Sequence, residues 1–157
     1  MNSSAQSQKA LVIDNSSIIT KIIKNFLIKS GFDKNNIFVA HDRNQAMMMF
    51  ELEKFDIVTS GIHLKDSTGI DLLKEVREKN DDDQKKTPFL IISSEEKDIY
   101  QEKLDEFQGS DYLRKPFTHD QFQNMIGSML NHTDQDAEVE SPAPPAAPST
   151  QWKESPV

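Results

Sequence analysis

At 157 residues the chain has room for one domain with an extension, and 36% hydrophobic with 28% charged residues is the composition of an ordinary water-soluble fold. A formal net charge of -8 argues against nucleic acid or an anionic membrane as the partner. The absence of cysteine excludes a disulfide framework and a thiolate metal site, and no apolar run reaches the length of a signal peptide core or a membrane span, so a cytoplasmic location is expected.

The chain divides by composition into a polar lead-in over 1–8, a domain over 9–131 and a tail over 132–157. Lys9 to Ile13 (KALVI) reads as a short apolar strand that ends at Asp14 and Asn15. Ser16 and Ser17 offer an N-cap to a helix that places Ile19, Ile22, Ile23, Phe26 and Leu27 on one inward face and stops at Gly31. Ile37 to Ala40 is a second strand, and Arg43 to Glu53 a helix whose Met47-Met48-Met49 run reads as core filling.

Asp56 to Ser60 is a third strand, rich in β-branched residues, that runs into Gly61 and a loop closing at Ser67-Thr68-Gly69. A helix from Gly69 to Lys79 follows, then a charged surface loop over 80–86 without the turn glycine or spacing of a calcium loop. Pro88 to Ser93 is a fourth, continuously apolar strand. Glu95 to Phe107 is expected to be one helix with Ile99, Leu104 and Phe107 inward, and Asp111 to Leu113 a brief fifth strand leading into Arg114-Lys115-Pro116-Phe117. Thr118 caps a last helix that uses Phe122, Met125, Ile126, Met129 and Leu130. The tail is acidic and then Pro/Ala-rich, with Trp152 as its only large apolar residue; such a segment is expected to stay unordered, its tryptophan a possible anchor for a partner.

Five strands alternating with five helices predict an α/β fold with a parallel sheet covered on both faces. Ligands of such folds sit outside the carboxyl ends of the strands. Asp14, Asn15, Gly61, Ser93 and Lys115 all follow or end a strand and can converge on one edge. A carboxylate, an amide, a hydroxyl and an ammonium suit a phosphoryl group, with hard-cation chemistry drawing on the oxygen donors. Position 61 supplies no chemical group at all.

The motifs VIDNSS at 12–17, IVTSG at 57–61, LIISS at 90–94 and YLRKPF at 112–117 resemble the receiver domain of response regulators, the CheY-like family, over residues 9 to about 130. The resemblance implies a flavodoxin-like, doubly wound sheet in strand order 2-1-3-4-5. It places Asp14 and Asn15 where receivers carry a pair of acidic metal ligands, Ser93 as the hydroxyl that bonds the phosphoryl group, Lys115 as the lysine before a cis proline and Tyr112 as the switching aromatic. Gly61, counted back from Gly69, falls on the phospho-accepting aspartate. Glycine cannot form an aspartyl phosphate, and Asn15 removes a second carboxylate. The resemblance is therefore to a degenerate, or pseudo-, receiver.

The function this implies is a phosphorylation-independent protein–protein interaction module, not an enzyme, in a two-component, phosphorelay or chemotaxis-type pathway. Its partners would be signalling proteins bound through the fourth helix, fifth strand and fifth helix, around Tyr100, Phe107, Tyr112, Phe117 and Phe122. With Asp14 the one acidic ligand left, Mg2+ binding is expected to be weak or absent, and a direct or water-bridged Asp14–Lys115 contact is expected. The chain is expected to be a monomer or weak dimer. One alternative is a conventional response regulator that accepts phosphate at another residue, for which Ser60, Asp56, Asp66, His63 and Asp14 are the candidates. A less favoured one is a small-ligand domain of the same fold, since no Gly-rich phosphate loop follows any strand.

Overall fold

In the first strand Ala10 and Val12 send their side chains to one side of the sheet while Leu11 and Ile13 send theirs to the other, so both faces need cover. The five strands of the computed structural model, which describes residues 8–79 and 86–134, accordingly form a parallel sheet of order β2-β1-β3-β4-β5 whose three central strands are fully buried. The strands are β1 (Ala10–Ile13), β2 (Ile37–Ala40), β3 (Ile57–Ser60), β4 (Phe89–Ser93) and β5 (Ser110–Arg114). The helices are α1 (Ser17–Lys29), α2 (Arg43–Leu52), α3 (Gly69–Arg77), α4 (Gln101–Asp105) and α5 (His119–Asp134). This is the doubly wound, flavodoxin-like architecture and the strand order that the motifs implied.

Helices α1 and α5 cover one face over Val12, Ile23, Leu27, Leu90, Ile92, Phe122 and Ile126. The opposite face, under α2, α3 and α4, is filled by Leu11, Ile13, Phe50, Val58, Leu72, Leu73, Phe89 and Ile91. Each large side chain fully buried in this way contributes roughly 1.5–3 kcal/mol of transfer free energy. Capping residues set the helix starts: Ser16 Oγ accepts from the Ile19 N–H, Asp42 Oδ1 from Gln45 and Thr68 Oγ1 from Asp71. Gly31 closes α1 at a φ of 109°, where a side chain would be strained.

Four expectations from spacing need correction. Residues Glu95 to Phe107 do not form one helix; a 3-10 turn over Lys97–Ile99 precedes a short α4. The break turns Ile99 out to 64% exposure instead of inward, while Leu104 stays buried. On α1, Ile22 is 42% exposed and Ile18 is 69% exposed, because four isoleucines in the six residues 18–23 exceed one inward stripe. Met48 also faces solvent, since steps of about 100° place three consecutive methionines on different sides of a helix; Met47 and Met49 pack as expected. Helix α5 runs on to Asp134, past the compositional change at residue 132. The lead-in, most of the charged loop and the tail with Trp152 lie outside the described residues.

The register aligns the strand ends. Ile13 lies opposite both Ala40 and Ser60, and Ser93 opposite Arg114. Asp14, Gly61 and Lys115 therefore leave the sheet along one edge.

Candidate functional site

The edge residues enclose a depression of about 180 Å3 lined by Asp14, Asn15, Gly61, Ser93, Glu95 and Lys115, among others. All five residues selected on sequence are thus brought together. β1 delivers Asp14, whose backbone N–H donates to the Ala40 carbonyl at 3.1 Å. β3 delivers Gly61, whose N–H donates to the Ile13 carbonyl at 3.0 Å. The Lys115 N–H donates to the Ser93 carbonyl at 2.8 Å, which ties the β5 exit to β4, and the Lys115–Pro116 peptide is cis.

Gly61 and Asp14 are packed against one another. A Cβ placed on Gly61 would lie 2.6 Å from Asp14 Oδ2, so the carboxylate occupies the volume through which a side chain at 61 would leave the backbone. The other oxygen, Oδ1, accepts the Ser16 N–H at 2.9 Å, where the N-terminus of α1 favours negative charge. Among the described residues no direct Asp14–Lys115 ion pair forms, so the direct form of the expected contact is corrected. The carboxylate finds its donor on its own chain turn, and Lys115 lines the same depression.

The Ser93 hydroxyl is buried and accepts the Glu95 N–H at 3.1 Å. As a donor set for a hard dication the depression fits poorly. Asp14 is its single strand-end carboxylate, half engaged by Ser16, beside the Asn15 amide. Among the described residues no three of Asp, Glu and His are grouped to hold a metal.

Of the other candidate acceptors, His63 lines the depression, and Ser60, Asp56 and Asp66 are engaged with other partners. Ser60 Oγ is buried on the α2–α4 side and donates to the Gly61 carbonyl at 2.8 Å. Asp56 accepts the Lys9 N–H at the far end of β3. Asp66 reaches back to α2, accepting from the Arg43 N–H at 2.8 Å, and that bond lowers its pKa.

Sequence reasoning passed over Glu95. Its Oε2 lies 2.9 Å from His63 Nε2, so the loops after β3 and β4 are joined across the mouth of the depression. Tyr100 Oη donates to Oε1 of the same carboxylate, and Tyr112 Oη donates to the Glu95 carbonyl at 2.6 Å. Bonds from His63 and then Tyr100 hold the Glu95 carboxyl below its ordinary range, and the carboxylate in turn pushes the Tyr100 phenol up to about 12. No local pattern marks these residues, because the partners are 32 positions apart and meet only through the β3–β4 pairing.

The expected partner face is partly corrected as well. Tyr112 and Phe122 are buried, the second in the α1–α5 core, and neither can present a ring to a partner. Tyr100 stacks on Tyr112 at 6.1 Å, Phe107 packs half-buried on the core, and Phe117 meets Phe26 at 5.8 Å. Exposed apolar surface on that side comes from Ile99, which the helical spacing had placed inward.

Residues 10–127 match the family described as the response regulator receiver domain. The chain is similar to the chemotaxis protein CheY-3 of Vibrio cholerae, 34% identical over 113 residues that cover 72% of this chain and 84% of that one. It is similar to the chemotaxis protein CheY of Pseudomonas aeruginosa, 34% identical over 110 residues, 70% of this chain and 86% of the other. The solved structure of the chemotaxis response regulator CheY4 of Vibrio cholerae shares the fold, with a TM-score of 0.69 over 78% of this chain and 98% of that one at 23% identity.

Proposed function

This chain belongs to the response regulator receiver domain family, and from that premise we propose that it is a pseudo-receiver, a module of a two-component or chemotaxis-type pathway that signals by protein–protein contact without aspartyl phosphorylation. The carrying observation is the Asp14–Gly61 packing: position 61 has no carboxylate, and a neighbouring carboxylate already fills the start of its side-chain path. Aspartyl phosphate needs a carboxylate oxygen free to attack phosphorus. Asp14, the one strand-end carboxylate in the depression, has Oδ1 engaged by the Ser16 N–H and Oδ2 packed into the side-chain space of Gly61. Ser93 and Lys115 stay at the positions where they would hold phosphoryl oxygens, so the scaffold persists without its acceptor.

Chemotaxis proteins among the similar chains support the class of pathway. The poor oxygen donor set supports Mg2+ binding that is weak or absent. The partner is a signalling protein, and Ile99 and Tyr100 on the α4–β5–α5 side form the contact, backed by Tyr112 and Phe107. No catalytic turnover is part of this reading.

Intact-mass analysis after incubation with acetyl phosphate and Mg2+ tests it, on the wild-type chain and on Gly61→Asp. The expected result is no mass change in the wild type and one added phosphoryl group in the variant. A phosphoryl group on the wild-type chain would overturn the reading and identify a conventional receiver with a displaced acceptor.

A further inference from the structure

Helix α1 leaves more apolar surface than the sheet can cover. Ile19, Ile22 and Phe26, with Pro116 and Phe117 from the β5–α5 connection, line an apolar groove of about 380 Å3 whose rim carries Lys115. Ile18 extends the patch at 69% exposure. On the helix itself Lys29, seven residues after Ile22, shares that side, and α1 bears no carboxylate, in a chain whose net charge is -8. The groove therefore calls for a ligand with an apolar anchor and negative charge.

One segment of this chain has that chemistry. Residues 135–157 hold Asp136, Glu138, Glu140 and Glu154 against Lys153 alone, together with a Pro/Ala run that leads to Trp152. We propose that this tail folds back onto its own domain and seats Trp152 in the α1 groove beside Phe117.

Chain length permits the return. Phe117 stands two residues before α5, which is about 24 Å long for its 16 residues. Trp152 lies 18 residues beyond Asp134, and at about 3.1 Å per residue in an extended proline-rich segment that distance is spanned about twice over. α5 lies beside α1, with Phe26 against Phe117, His119 and Phe122, so the tail leaves from the layer that carries the groove. A tethered ligand is present at an effective concentration in the millimolar range, so a weak intrinsic affinity is enough to populate the docked form.

Trp152 is the only tryptophan, so its emission reports the proposal directly in the full chain. The expected wild-type result is a blue-shifted emission maximum and acrylamide quenching weaker than in denaturant. Ile22→Glu on the exposed part of the groove should restore water-like emission and quenching, and Ile18→Glu should do so in part, with thermal unfolding unchanged as the control for folding. Water-like emission in the wild-type chain would overturn the proposal and leave the groove to a separate partner protein. A blue shift that depends on protein concentration would overturn it in favour of docking between copies. A shift that neither substitution moves would place the tail on another face.

Discussion

Asp14 Oδ2 lies 2.6 Å from the point where a Cβ on Gly61 would sit. Two residues that end neighbouring strands thus divide one volume between them: Gly61 gives up its side chain, and Asp14 takes the space. The contacting atom is the far end of a side chain, so the arrangement can be reversed by rotation of Asp14.

Gly61→Asp should therefore fold, with Asp14 rotated away and two carboxylates facing one another across the depression. Their repulsion should lower stability by about 1–2 kcal/mol in the absence of a divalent cation. Thermal unfolding with and without millimolar Mg2+ checks this: the cation should raise the midpoint of the variant and leave that of the wild type in place. A wild-type midpoint that rises as much as the variant's would show that Asp14 and Asn15 suffice to hold the ion.

Gly69 is constrained more severely. A Cβ there would lie 2.1 Å from the Gly61 carbonyl oxygen and 2.9 Å from Ser60 Oγ, and the first of these is backbone. The loop is drawn this tight by the Gly69 N–H donating to the Ile62 carbonyl at 2.7 Å and by burial of Ile62 and Leu64. Gly69→Ala should cost roughly 2–3 kcal/mol in urea unfolding, as overpacking of a rigid site does. A loss below about 0.5 kcal/mol would mean that the loop relaxes freely.

Glu95 sets an acid dependence. Its folded pKa lies below the ordinary 4.5, through the bonds from His63 and Tyr100. Stability from a lowered carboxyl pKa is present above the unfolded value and lost as pH falls through the folded one. Wild type should thus exceed Glu95→Gln in stability at pH 6, and the gap should narrow steadily below about pH 4.5. Denaturant midpoints across that range give the comparison; a gap that stays constant with pH would remove the charge from the account.

Tyr100 gives the alkaline counterpart. Its phenol is pushed from 10.0 up to about 12, chiefly by the hydrogen bond to the Glu95 carboxylate. A raised folded pKa binds the proton more tightly than the unfolded chain does. The stability is complete below pH 10 and is lost as pH rises from 10 towards 12. NMR titration of ring-labelled tyrosine should show this signal moving late in the wild type and near its ordinary position in Glu95→Gln. Equal titration in the two proteins would mean that the hydroxyl is not bonded to that carboxylate.

Much of this molecule could be read along the chain. Alternating apolar residues, the Ser16, Asp42 and Thr68 caps and the breaks at Gly31 and Gly61 placed the elements to within a few residues, because each signal acts over one turn or one pleat. The motifs at the strand ends located Asp14, Asn15, Gly61, Ser93 and Lys115 correctly on one edge. Ile99, Ile22 and Met48 were harder, since helical spacing counts apolar residues without knowing how wide a stripe the sheet can cover.

By itself the sequence determined that position 61 carries no side chain and that the other strand ends carry polar groups, for these follow from residue type and period alone. Tertiary structure alone decided what those groups do with the result. It set Asp14 against Gly61 and the Ser16 N–H, joined His63 to Glu95 across 32 residues, and left one side of α1 uncovered. The physical reason is common to all three. Rotamer choice and contact between distant loops depend on the strand order and on the space each neighbour leaves, and neither is encoded in any short stretch of chain.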